Sequence, residues 1–99
     1  MLNITKTKED AKLYIALEGR LDTTTAPQLE ETVNTEIEGL KELVFDFAAL
    51  EYVSSAGLRV LLSAQKKMNK QGSMVIRNVS EEIDEIFNVT GFSDILTIE

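Results

Sequence analysis

The chain has no cysteine, no histidine and a single proline, Pro27. Without cysteine there is neither a disulfide framework nor a thiol nucleophile, which fits a reducing cytoplasm. Without histidine a Ser-His-Asp arrangement has no general base, and the usual nitrogen and sulfur ligands of zinc are both missing. No apolar run approaches the roughly 20 residues that cross a bilayer, so direct membrane insertion is not expected. The opening residues MLNITKTKED also lack the basic-then-apolar pattern of a secretion signal. Positive charge is scarce as well: 10 Lys+Arg against 17 Asp+Glu leave a formal charge of -7. Such a field repels phosphate backbones and argues against nucleic-acid partners.

What remains is an ordinary globular composition, 43% hydrophobic and 27% charged over 99 residues, enough for one domain (residues 1–99) with one modest core. LNITKTK and KLYIALE alternate apolar and polar residues as half-buried strands do, with Glu9-Asp10 in the turn between them. After GRLDTTTA a helix is predicted, with Pro27 in its first turn, Ala26, Leu29, Val33 and Ile37 on one face, and Gly39 as a left-handed stop. ELVFDF (42–47) reads as a buried strand. The next helix carries Leu58, Leu61, Leu62 and Met68 at core spacing and stops at Gly72. MVIRNV supplies a strand, Ser80 caps EEIDEIFNV, Gly91 closes that helix, and ILTI (95–98) is predicted as a last strand. The order β-β-α-β-α-β-α-β predicts an α/β domain, with a mixed sheet of about five strands and three or more helices joined by right-handed crossovers.

The chemistry concentrates in EYVSSAGLRVLL (51–62), where Ser54 and Ser55 separate a strand from an apolar helix. Serine is a preferred N-cap, and a cap is the simplest role for either one. A nucleophile elbow would read G-x-S-x-G, and Lys66, Lys67 and Lys70 lie three or more turns away as candidate bases, so catalysis is not favoured. A nucleotide loop would need G-x-x-x-x-G-K-[ST], which is absent. A helix N-terminus does favour an anion, and a phosphate attached there would change the surface while the fold tolerates it. Arg59 stands one turn after Ser55, spaced either to share its surface or simply to be a solvated helix arginine. Asp46 is expected to complete turn hydrogen bonds, Phe87 and Phe92 to pack in the core, and Glu30, Glu31, Glu36 and Glu38 to form a solvated outer face.

Three segments together resemble the STAS domain family, specifically the bacterial anti-sigma factor antagonists: EGRLDTTTAPQLEE (18–31), ELVFDFAALEYVSSAGLRVLL (42–62) and GSMVIRNVSEEIDEIFNVTGFSDILTI (72–98). The resemblance implies a non-enzymatic regulator with no cofactor or metal. It implies that Ser55, followed by Ala56-Gly57-Leu58, is phosphorylated by an anti-sigma factor that is itself a Ser/Thr kinase. The unmodified form would bind that kinase and free the sigma factor; a phosphoserine phosphatase would restore the modified form. Asp22 matches the family's G-x-L-D aspartate, so Thr23 and Thr24 would share a partner-facing surface with Ser54, Ser55, Ala56, Gly57 and Arg59. Ser54 stands where many members carry aspartate, which leaves two adjacent hydroxyls as acceptors. The family suggests a monomer or weak dimer. Relatives also serve as subunits of lipid or anion transport assemblies at the membrane, a second reading in which the serine stays unmodified.

Overall fold

Alternation along the strands decides which face of the sheet is buried. The computed structural model describes all 99 residues. β1 (Leu2–Glu9) and β2 (Lys12–Leu21) form an antiparallel hairpin, Leu2 opposite Gly19 and Glu9 opposite Lys12. Its tight turn places Asp10 at φ 54, a conformation aspartate tolerates better than most residues. α1 (Ala26–Glu36) then carries the chain to β3 (Glu42–Val53), which lies parallel to β2. α2 (Ser55–Gln71) leads to β4 (Ser73–Arg77), parallel to β3, and α3 (Glu81–Thr90) ends in a short 3-10 turn at Phe92–Asp94. The sheet order is β1-β2-β3-β4.

Leu13, Ile15 and Leu17 of β2, Phe45 and Phe47 of β3, and Met74 and Ile76 of β4 point to one face. They share a single core with Leu29 and Val33 of α1, Leu58, Leu61 and Met68 of α2, and Ile83 and Phe87 of α3. Removing such side chains from water is the main stabilising term of the fold. The alternate residues, among them Ala16, Glu18, Arg20 and Arg77, stay exposed on the opposite face, which no helix covers. No helix is long and apolar enough to cross a membrane.

Two expectations are corrected. ILTI does not form a fifth strand: the 3-10 turn uses up the approach, and only Ile98 bridges Ile76. Nor does the third strand stop at residue 47, because β3 continues through AALEYV to Val53, kept in register with β2 by two irregularities near Ala16–Glu18 and Gly19–Arg20. Gly39 is left-handed at φ 82, but two residues beyond the cap of α1 at Ile37. Gly72 ends α2 by close approach: an added Cβ would lie 2.0 Å from the Lys41 carbonyl oxygen.

Candidate functional site

Because β2, β3 and β4 are parallel, their carboxyl ends lie together, and there the loop after β2 meets the start of α2. Leu21 and Val53 are partners in the ladder. One residue on, the Ser54 N–H donates to the Leu21 carbonyl at 2.8 Å. Gly57 completes the junction, since a Cβ at that position would fall 2.6 Å from Leu21 Cγ and 3.1 Å from its carbonyl oxygen. Only a residue without a side chain lets the first turn of α2 sit this close to the end of β2. The sequence-predicted residues Asp22, Thr23, Thr24, Ser54, Ser55, Ala56 and Gly57 are thereby gathered at one end of the sheet.

The loop is organised by Asp22. Its Oδ1 accepts from the Thr24 hydroxyl at 2.7 Å, the Thr24 N–H at 3.0 Å and the Thr25 N–H at 3.2 Å. The Thr24 hydroxyl, followed by the two backbone N–H groups, holds the Asp22 carboxyl below its ordinary range against a smaller opposing effect of desolvation. Thr25 is buried, receives the Asp22 N–H at 2.8 Å and donates to the Arg20 carbonyl at 2.8 Å. This residue was missed, and three consecutive threonines give no signal as to which one turns inward. Thr23 and Thr24 are exposed, although the Thr24 hydroxyl is already occupied by Asp22.

The two serines divide their roles. Ser54 is the N-cap of α2: its backbone is extended (φ -91, ψ 175) and its Oγ accepts from the Gly57 N–H at 3.4 Å. Ser55 is the first helical residue, exposed, and its hydroxyl makes no hydrogen bond within the chain. Beside it, Thr23, Ala26, Pro27 and Glu30 of the α1 side face Ala56, Arg59 and Val60 of α2 across an open hollow of about 200 Å³. Arg59 is exposed and has no ion pair or hydrogen bond. On the uncovered sheet face lies a pair that the sequence did not announce: the Arg20 guanidinium sits 4.5 Å over the Tyr52 ring, with Nε 3.9 Å from Asp22 Oδ2. Tyr52 is 37% exposed, one of four large hydrophobic side chains left open to solvent. The register Arg20 opposite Tyr52 depends on the irregularity in the ladder, so spacing alone could not have found it.

Asp46 lies apart from this cluster, accepting from the Ala48 N–H at 2.9 Å and the Asn78 amide at 3.0 Å. Phe87 is fully buried, and Phe92 packs half-buried against the core.

Comparison with known proteins bears on this arrangement. The family model for the STAS domain matches residues 3–99. BtrV of Bordetella bronchiseptica, provisionally named an anti-sigma factor antagonist, is 32% identical over 99 residues, covering 98% of this chain and 85% of that protein. Among solved structures, an anti-sigma factor antagonist from Mycobacterium paratuberculosis superposes with a TM-score of 0.89 at 21% identity, covering 99% of this chain and 85% of the other. The anti-sigma factor antagonist SpoIIAA in its unphosphorylated form gives 0.84 at 18% identity over 98% and 88% of the two chains. Its phosphorylated form gives 0.77 at 18% identity over 98% and 91%. At such identities the structural likeness speaks for the fold.

Proposed function

The chain belongs to the STAS domain family, and from that membership we propose that it is an anti-sigma factor antagonist working by phosphorylation-controlled partner switching. In this reading the unmodified chain binds an anti-sigma factor that is also a Ser/Thr kinase, and the sigma factor is released. Transfer of the γ-phosphoryl group of ATP to Ser55 Oγ releases ADP and the hydroxyl proton, and the modified chain dissociates. A phosphoserine phosphatase removes the phosphate by hydrolysis and restores binding. The observation that carries this reading is the contrast between the serines: Ser54 is engaged as a cap, whereas Ser55 presents a free, exposed hydroxyl at the first helical position.

The physics supports a switch that leaves the fold alone. A phosphate at Ser55 meets the positive end of α2, which accommodates its roughly 1.5 to 2 negative charges. In a contact with the kinase the same charge would lose its water and face the phosphates of the kinase's own nucleotide. That costs on the order of 2–5 kcal/mol, or roughly 30-fold to several-thousand-fold in affinity.

Phosphosite mapping by mass spectrometry on protein from its native cells tests the reading, with a Ser55→Ala strain as control. A single phosphate on Ser55, absent from the control, is expected. Phosphate on Ser54 alone would move the acceptor, and none under any growth condition would defeat the switch. Ser55→Asp is expected to bind the kinase at least about 30-fold more weakly than wild type by calorimetry.

A further inference from the structure

We propose that Arg59 is the counter-ion of phosphorylated Ser55: uncommitted at the hollow between α1 and α2 while the serine is free, it closes onto the phosphate once the serine is modified. The inference rests on the reading of Ser55 as acceptor and adds what the modification does to its surroundings.

Two arginines stand toward this end of the sheet, Arg20 on β2 and Arg59 on α2, and the structure separates them. Arg20 is occupied, its guanidinium stacked at 4.5 Å on Tyr52 and its Nε 3.9 Å from Asp22. Arg59 is held by nothing. Glu30 lines the same hollow, yet no ion pair forms between them, so a phosphate would not have to displace a carboxylate from Arg59. Geometry favours the closure. Residues four apart on a helix are neighbours, with Cβ atoms about 5–6 Å apart. Helical side chains lean toward the N-terminus, so Arg59 tilts over the turn that begins at Ser55. The order, anion first and cation four residues later, is also the favourable one along a helix.

The neighbouring charges push the same way. Asp22 is held in place by Thr24 and Thr25 and keeps its negative charge beside the junction of β2 with α2. A phosphate on Ser55 is repelled from Asp22 and Glu30, and Arg59 is the one nearby cation without a partner. Phosphorylation therefore changes two things at once: it adds negative charge at Ser55, and it removes from the hollow a cation that a partner's carboxylate could have used.

The test installs phosphoserine at position 55 during translation, so that no kinase is needed, and follows the ³¹P resonance through a pH titration. Arg59→Ala and Arg59→Gln are expected to raise the second phosphate pKa by roughly 0.15–0.4 unit from the wild-type value, and Arg59→Lys to restore most of the difference. Identical titrations in all four proteins would overturn the ion pair. In parallel, calorimetry compares unmodified and phosphorylated wild type against the anti-sigma factor kinase of the same cells. Equal affinities together with an Arg59-dependent titration would discard the switch and keep the ion pair. Unequal affinities with an Arg59-independent titration would keep the switch and discard the ion pair.

Discussion

Asp22 shows what a single carboxylate organises: one of its oxygens collects the hydroxyl and N–H of Thr24 and the N–H of Thr25. Its folded-state pKa lies below the ordinary value, with the Thr24 hydroxyl as the leading cause. The sign follows from linkage. A depressed carboxyl contributes stability in full above its unfolded pKa, near 3.9, and loses it as pH falls through the lower folded value. The Thr24 and Thr25 amide resonances are therefore expected to titrate together below the ordinary aspartate range. In Asp22→Asn that titration should vanish, while the rest of the spectrum holds. A wild-type midpoint at or above 3.9 would contradict this account. The sequence disclosed Asp22 through its place in GRLD, but not its partners. Whether Thr23, Thr24 or Thr25 turns inward depends on where the Arg20 carbonyl ends up, a tertiary fact.

Among the elements, the start of α2 separates a structural serine from a free one. Ser54→Ala removes the cap and is expected to cost about 0.5–1 kcal/mol, toward the lower end because its hydrogen bond to Gly57 is long, at 3.4 Å. Ser55→Ala removes a hydroxyl without partners and should leave the urea midpoint unchanged within error. The reverse ranking would exchange the roles assigned here. Element types were legible because Leu29 and Val33, or Ile83 and Phe87, repeat at helical spacing and Leu13, Ile15 and Leu17 at strand spacing. The extension of β3 was not, since Ala48, Ala49 and Glu51 have little intrinsic preference for a strand, and the segment is held there by the pairing of Ala49, Leu50, Tyr52 and Val53 with β2. ILTI misled in the opposite way. Its β-branched residues read as a strand, but a single bridge, Ile98 opposite Ile76 with hydrogen bonds through Thr97 and Glu99, is all that ties it to β4.

For the whole molecule, the parallel ladder places every change of interest at one end, away from the core. Phosphoserine at position 55 is accordingly expected to shift amide resonances only within about residues 20–25 and 53–60. The thermal midpoint should move by no more than a few degrees, the equivalent of under about 1 kcal/mol in a domain of this size. Widespread shifts would mean that the modification acts through the fold rather than on its surface. The connection between the two loops has a consequence over evolutionary time. They are joined by a backbone hydrogen bond from Ser54 to Leu21 and by the bare Cα of Gly57. Neither link depends on the side chains at Thr23, Ser55, Ala56 or Arg59. Duplicated copies of such a chain can therefore change the surface at Thr23 and Ala56 without renegotiating the scaffold, so that partner choice can drift while the architecture stays the same.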